Sequence, residues 1–167
     1  GVATNFRVDG EDLMIPMAVE ETSIVAAASK TAKWVRENGH IMTETIGQDI
    51  LGQIQLARVK DFSRFSALIH LKKDELIETA NREVAFSMVR RGGGVTKIEV
   101  RALQRDDGDM MAVIHVQMNA VDAMGANIMN QVCEFLKQPI EELTGEKVTM
   151  CILSNLVDTK LTRATVT

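Results

Sequence analysis

Residues 92–118 of this chain read GGGVTKIEVRALQRDDGDMMAVIHVQM. Two segments, 95–103 and 110–118, are rich in β-branched and apolar residues and flank the turn sequence Asp106-Asp107-Gly108-Asp109. Segments of this composition, separated by polar turn residues, are typical of neighbouring β-strands. The stretch therefore predicts a pair of strands that follows a glycine-rich helix end.

Helical periodicity is present on both sides of this strand pair. Upstream, residues 62–90 place apolar side chains at helical spacing until the glycine run 92–94. Downstream, residues 122–138 show the helical pattern again, and Pro139 and Gly145 mark an interruption and an end. Further out, 52–59 alternate like a half-buried strand and 147–156 form an apolar strand. The order strand, helix, strand, strand, helix, strand predicts an α+β fold with ferredoxin-like (βαββαβ) topology and both helices on one face.

The residues before this unit predict a piece of another domain. Residues 5–19 favour two short strands around Asp9-Gly10, and a helix is predicted over 23–38, capped by Thr22 or Ser23. One helix and one hairpin cannot bury a core by themselves. We therefore expect residues 1–45 to be part of a larger α/β domain, 46–156 to be the ferredoxin-like domain, and 157–167 to return to the larger one.

Composition excludes several classes of function. The chain is 46% hydrophobic and 25% charged, which is ordinary for a globular protein. Its net charge of −4 argues against nucleic-acid binding, and no apolar run approaches the roughly 20 residues of a membrane span. The first residues lack the pattern of a signal peptide, and Cys133 and Cys151 are expected to be reduced core thiols. We therefore expect a cytoplasmic protein with no membrane or nucleic-acid partner.

The segment VDAMGAN, residues 121–127, is the first candidate for binding chemistry. Gly125 permits a close backbone approach, and Asp122 or Asn127 can bond ribose or amide groups. The start of the following helix favours a phosphate. The alternative interpretation is structural, with Asp122 as the cap of the predicted helix.

Three further segments have both a functional and a structural interpretation. Glu20 and Glu21 precede a helix, where partial burial would suit one of them for general acid work, although acids are also common at helix starts. Arg90 and Arg91 beside the glycine run can receive a phosphate or simply end a helix. Asn155 can offer its amide to a ligand or form a loop. The three histidines have no partners at metal-ligand or triad spacing, so we interpret them as structural.

Taken together, these segments resemble the class II (bacterial and archaeal) 3-hydroxy-3-methylglutaryl-CoA reductases. The resemblance is carried in order by PMAVEETSIVAAASKTAK (16–33), DELIETANRE (74–83), the glycine run, VDAMGANIMN (121–130) and ILSNLVDTKLTRA (152–164). It implies an oxidoreductase that reduces 3-hydroxy-3-methylglutaryl-CoA to mevalonate and CoA by two hydride transfers from NADPH or NADH. It also implies a homodimer or higher homo-oligomer, with a small domain that binds the dinucleotide and a large domain that binds substrate and CoA.

The resemblance assigns roles residue by residue. Glu21 would be the catalytic glutamate, and Ser23 would contact the 3-hydroxy-3-methylglutaryl moiety. The dinucleotide site would be lined by Asp122, Met124, Gly125, Asn127 and Asn155. Thr22 replaces the usual proline of this motif, a change that suits a helix start.

A second departure from the family pattern concerns the cofactor. Val84 stands at or next to the position where NADH-using relatives have an aspartate for the adenine ribose. Without that carboxylate, Arg82, Arg90 or Arg91 can hold a 2′-phosphate, so the sequence favours NADPH, whereas the neighbouring Glu83 keeps NADH open.

The family also uses a lysine in an Asn-Lys-Gly context, a supporting aspartate and a histidine that protonates the departing CoA. The 167 residues contain no Asn-Lys-Gly, and no histidine follows His115. We therefore expect this chain alone to be inactive. The competing hypothesis is a non-enzymatic ferredoxin-like module that binds a small molecule for regulation.

Overall fold

The computed structural model describes residues 1–18 and 21–167, and within these residues it contains eight strands and four helices. In chain order the elements are β1 (Val2–Val8), β2 (Glu11–Pro16), α1 (Thr22–Asn38), β3 (Ile41–Ile46), β4 (Asp49–Leu56), α2 (Phe62–Glu83), α3 (Phe86–Val89), β5 (Gly94–Gln104), β6 (Met110–Asn119), α4 (Ala126–Thr144), β7 (Met150–Leu153) and β8 (Leu161–Val166). Two predictions, the strand end at Val19 and the role of Glu20, lie outside the described residues.

The chain divides into two units. Unit 1 consists of Gly1–Ile46 with Leu161–Thr167, and unit 2 consists of Gly47–Lys160. The predicted domain boundaries after residues 45 and 156 stay a prediction.

Unit 1 is a four-stranded sheet in the order β2-β1-β3-β8, with α1 against β1. The predicted hairpin and helix of this segment are confirmed. Asp9 and Gly10 form the turn with φ of 52° and 86°, the positive values that a tight hairpin turn requires. Asp9 also accepts a hydrogen bond from the backbone N–H of Thr43 at 2.7 Å, which ties the turn to β3.

Two strands of unit 1 were absent from the sequence prediction. β3 and β8 pair in antiparallel fashion from Ile41↔Val166 to Ile46↔Leu161. Every residue of β8 is exposed, and so are the four central residues of β3. Because neither strand has one buried and one exposed face, neither shows the alternation of apolar and polar residues from which strands are predicted.

Unit 2 is a four-stranded sheet in the order β5-β6-β4-β7, and all three neighbouring pairs are antiparallel. Helices α2 and α4 contact each other and share one core with the sheet. Phe65 of α2, Leu136 of α4 and Ile114 of β6 are at most 2% exposed in that core. The α+β class is confirmed, whereas the ferredoxin-like topology stays a prediction.

The helical pattern predicted from residue 122 begins later in the structure, since α4 spans Ala126–Thr144, whereas the predicted end at Gly145 is confirmed. Positive φ values at Val121 (54°) and Gly125 (86°) prevent a helix from starting earlier. Pro139 lies inside the helix rather than interrupting it, because Ile140 is completely buried and its packing holds the last turn in place. Gly145, with φ of 72°, then ends the helix.

Smaller differences affect other elements. The last predicted strand, 147–156, is limited to Met150–Leu153, and the predicted helix 62–90 is divided into α2 and the short α3. None of the helices in the described part of the chain combines the length and apolar character that crossing a membrane requires.

Candidate functional site

Most of the predicted site residues of unit 2 belong to loops at one end of its sheet. At this end β4 begins with Asp49 opposite Asn119, the last residue of β6, and Asn119 also lies opposite Gly94, the first residue of β5. β7 ends here as well, with Leu153 opposite Gly52. We call this the loop end of unit 2.

The segment 120–125 has a constrained backbone. Val121 has φ of 54°, a left-handed conformation that is rare for a β-branched residue and costs on the order of 1–3 kcal/mol. The backbone N–H of Val121 donates to Oδ1 of Asn119 at 2.8 Å. An ideal Cβ on Gly125 would lie 2.7 Å from Cβ of Ala120, which is completely buried. Only glycine fits at position 125.

Helix α4 begins directly after Gly125 and has no side-chain cap. The structural interpretation of Asp122 as the cap is therefore wrong, because the helix begins three residues later than that interpretation requires. The first N–H groups of a helix carry partial positive charge and bind anions when no side chain caps them. Asp122, Met124 and Asn127 are exposed around this helix start, with Met124 at 79%.

Asn155 is brought to the same end by β7. The backbone N–H of Leu153 donates to Oδ1 of Asn130 at 2.7 Å, one turn further along α4 than Asn127. Ser154 is buried and accepts from Nε2 of Gln53 at 2.9 Å. These bonds fix the end of β7, whereas the side chain of Asn155 is exposed.

The end of α2 supplies the residues predicted to contact the adenine ribose. Val84 follows the helix and is partly buried against the core. Arg82 is exposed and forms an ion pair with Glu83 at 2.7 Å. An exposed pair of this kind contributes little stability, so either side chain can exchange its partner for a ligand. Arg90 lies over the ring of Phe86, with 5.9 Å between the guanidinium carbon and the ring centroid.

Glu21 and Ser23 belong to unit 1. Glu21 precedes α1 in an extended conformation, with φ of −106° and ψ of 119°. The hydroxyl of Ser23 donates to the Glu21 carboxylate, and both residues are exposed. The geometry therefore links the predicted proton donor to the predicted substrate contact by a hydrogen bond.

Sequence reasoning missed three residues that shape the loop end. These are Asn81, Asn119 and Ser154. Asn119 was detectable, since an asparagine at the end of an apolar strand commonly accepts from the N–H two residues on. No local signal marks Asn81, whose partner lies 14 positions away.

Three other titratable groups of unit 2, His115, Cys133 and Cys151, are buried or partly buried. Burial lowers the pKa of His115, Arg101 lowers it further, and Glu99 and Asp158 oppose that shift. Burial also raises the pKa of Cys133 to about 12 and that of Cys151 to about 11, so both remain protonated thiols at neutral pH.

Comparisons with known proteins agree along the whole chain. The family model described as hydroxymethylglutaryl-coenzyme A reductase matches residues 1–167. A 3-hydroxy-3-methylglutaryl-coenzyme A reductase of Archaeoglobus fulgidus is 43% identical over 164 residues, which are 98% of this chain and 37% of that protein. The chain thus spans little more than a third of the length of this relative.

Solved structures show the same likeness. A class II 3-hydroxy-3-methylglutaryl-CoA reductase from Streptococcus pneumoniae, bound to NADPH in open conformations, matches with a TM-score of 0.91 and 32% identity. The match covers 98% of this chain and 44% of that one. A second structure of the reductase from the same organism gives the same TM-score and identity, with 38% of its chain covered.

Proposed function

The chain belongs to the hydroxymethylglutaryl-coenzyme A reductase family, and from that premise we propose that it is part of an enzyme reducing 3-hydroxy-3-methylglutaryl-CoA to mevalonate and CoA. The observation that carries the proposal is the segment 121–127. It lies within an end-to-end family match and places Gly125 before an uncapped helix start. The alternative of a non-enzymatic regulatory module is not favoured, because the matched relatives are reductases.

Unit 2 is proposed to be the dinucleotide-binding small domain, with ferredoxin-like topology. The strand order β5-β6-β4-β7, with antiparallel pairs and two helices in one core, supports this topology. Unit 1 is proposed to belong to the larger domain that binds substrate and CoA. Its second segment, Leu161–Thr167, supports this assignment, because the chain returns to unit 1 after unit 2.

The loop end is proposed to hold the cofactor, which supplies the two hydrides when bound. Its phosphates would accept hydrogen bonds from the first N–H groups of α4, beside Gly125. The absence of a side chain at Gly125 and the absence of a side-chain cap on α4 both fit such a group. Asp122, Met124, Asn127 and Asn155 would line the same site, all four being exposed.

The proposed cofactor preference is for NADPH. Val84 presents no carboxylate to a 2′-phosphate, and the exposed guanidinium of Arg82 is available to bind one. The pneumococcal relative bound to NADPH supports this choice. Glu83 is the residue that would favour NADH if its carboxylate reached the ribose.

Glu21 is proposed to transfer protons at the substrate oxygen as the thioester and then the aldehyde are reduced. Ser23 donates a hydrogen bond to the Glu21 carboxylate, which orients that carboxylate. Ser23 would therefore position Glu21 as well as contact the 3-hydroxy-3-methylglutaryl group.

The proposed partners are 3-hydroxy-3-methylglutaryl-CoA, mevalonate and CoA, with a second copy of the protein in a homodimer or larger assembly. The proposed location is the cytoplasm, without membrane or nucleic-acid binding. The net charge of −4 supports the last point, since nucleic-acid binding favours a basic surface.

The test is NADPH oxidation by the full-length protein with and without 3-hydroxy-3-methylglutaryl-CoA. We expect oxidation that depends on the thioester and consumes two NADPH per mevalonate formed. NADPH binding is measured in parallel by fluorescence titration. A protein that neither binds NADPH or NADH nor oxidises them in the presence of the thioester would contradict the proposal.

A further inference from the structure

The side chain of Asn81 pairs with the backbone of Val95 as a neighbouring strand residue would. Oδ1 of Asn81 accepts from the N–H of Val95 at 2.7 Å, and Nδ2 donates to the carbonyl oxygen of Val95 at 3.0 Å. β5 is an edge strand, so these two backbone groups have no strand partner on that side. Asn81 therefore attaches the end of α2 to the start of β5.

The glycine run that precedes Val95 is packed tightly on two sides. An ideal Cβ on Gly94 would lie 2.7 Å from Oδ1 of Asn81. An ideal Cβ on Gly93 would lie 2.7 Å from Cγ2 of Val121 and would collide with the carbonyl oxygen of Asn119. The run therefore fills the space between Asn81 and the segment that begins the proposed cofactor loop.

Val121 is held in its left-handed conformation by these neighbours. A Cβ on Gly93 would collide with Cγ2 of Val121, so the backbone of Gly93 lies beside that side chain. Asn119 accepts a hydrogen bond from the backbone N–H of Val121 at 2.8 Å. A strained backbone of this kind persists only where the surroundings determine it. The position of the glycine run is thus one of the constraints on residues 121–125, which lead into α4.

We propose that Asn81 is a positioning residue of the dinucleotide site. It holds the glycine run against Val121, and the run holds the loop that exposes the start of α4. The inference rests on the proposed function, and it assigns Asn81 no contact with the cofactor. It also gives the glycine run a role distinct from ending a helix or binding a phosphate.

The test compares Asn81→Leu with Thr144→Val in the full-length protein. Asn81→Leu removes both hydrogen bonds to Val95, and we expect the Kd for NADPH to rise about tenfold or more. The KM for 3-hydroxy-3-methylglutaryl-CoA should change less than about twofold, because the substrate is proposed to bind unit 1. Asn81→Asp keeps the acceptor for the Val95 N–H but replaces the donor with an oxygen that repels the Val95 carbonyl, so it should also weaken NADPH binding.

Thr144→Val is the matched control. The hydroxyl of Thr144 donates to the carbonyl oxygen of Ile140 at 2.7 Å and accepts from the N–H of Glu146 at 3.2 Å. Thr144 thus forms as many hydrogen bonds to the backbone as Asn81 does. It lies at the C-terminal end of α4, whereas the loop end is at the start of that helix. The control should lower the melting temperature while leaving the Kd for NADPH unchanged.

Each outcome of the NADPH titrations either supports or overturns the role proposed for Asn81. Weakened NADPH binding in Asn81→Leu together with unchanged binding in Thr144→Val supports the proposal. Normal binding in Asn81→Leu, or equal weakening in both variants, overturns it. If Asn81→Leu does not fold, Asn81→Asp decides by the same criterion. Failure of the unsubstituted protein to bind NADPH would overturn the proposed function and this inference together, whereas normal binding in the variants overturns this inference alone.

Discussion

Gly125 and Ile50 approach each other so closely that an ideal Cβ on Gly125 would lie 2.5 Å from Cδ1 of Ile50. Gly125 also has φ of 86°, which a valine adopts only with strain. Gly125→Val should therefore displace the loop and weaken NADPH binding by about tenfold or more, the effect of losing one or two phosphate hydrogen bonds. Fluorescence titration measures the Kd, and circular dichroism verifies the fold.

Asp122→Ala, which leaves the backbone unstrained, should give a smaller loss of NADPH affinity than Gly125→Val. Unchanged affinity in Gly125→Val would mean that the cofactor site is elsewhere.

The cofactor preference is tested at Val84. A carboxylate at this position would bond the ribose 2′-hydroxyl of NADH and repel the 2′-phosphate of NADPH. Val84→Asp should lower the ratio of kcat/KM for NADPH to that for NADH by about tenfold, and Val84→Asn separates the effect of charge from that of shape. A wild-type enzyme that uses NADH at least as well as NADPH would show that Glu83 already supplies the carboxylate.

The catalytic role of Glu21 is tested by Glu21→Gln. The amide cannot transfer a proton, so turnover should fall by about 100- to 10,000-fold while NADPH affinity is retained. Ser23→Ala removes the hydroxyl that donates to Glu21 and should give a smaller loss with a raised KM for the thioester. Steady-state assays with both substrates measure these changes. Wild-type turnover in Glu21→Gln would assign the proton transfers to another residue.

A polypeptide of residues 1–167 alone should have no measurable reductase activity. Its sequence lacks the family's Asn-Lys-Gly lysine and any histidine after His115, and losing one such stabilising group typically costs about 100- to 1000-fold in rate. It should also self-associate, because Met14 and Trp34 of unit 1 are 75% and 64% exposed. An NADPH oxidation assay and light scattering on a sample verified by intact mass test both expectations. Robust formation of mevalonate would contradict the residue roles proposed for the family.

The stability of unit 2 should depend on pH through His115. Because burial lowers the pKa of His115 in the folded protein, the unfolded chain binds a proton there more readily. Stability should therefore be lost as the pH falls through the ordinary histidine value of 6.5. His115→Gln should flatten the dependence of the urea midpoint on pH in this range, and His70→Gln, at an exposed position, should leave it unchanged. An equally steep dependence in His115→Gln would assign the effect to another group.

Residues with clear periodicity or turn chemistry were predicted correctly from the sequence. The Asp9-Gly10 hairpin and helix α1 follow from local signals, as do the strand pair β5 and β6 and the start of α2. In each case an apolar face or a turn residue within a few positions of the element indicates its local structure.

The remaining features depend on contacts that are distant in sequence. β8 pairs with β3 across more than a hundred residues, and no residue of β8 is buried. Val121 adopts a conformation that its own β-branched side chain disfavours, so only its neighbours explain it. Pro139 remains helical because Ile140 is buried beside it. Such outcomes are decided by tertiary packing rather than by local preference.

Because β3 pairs with β8, unit 2 is inserted between two adjacent strands of unit 1. Ile46 lies opposite Leu161, so the chain leaves unit 1 and re-enters it on adjacent strands, about 5 Å apart. Within unit 2 the two ends are likewise joined, since the Asp49 N–H donates to the carbonyl oxygen of Thr159 at 3.1 Å. An insert with adjacent ends can be lengthened, shortened or replaced by the corresponding piece of a relative at little cost in loop-closure entropy. We therefore expect that transplanting residues 47–160 between members of the family exchanges the proposed cofactor site without altering how unit 1 is connected.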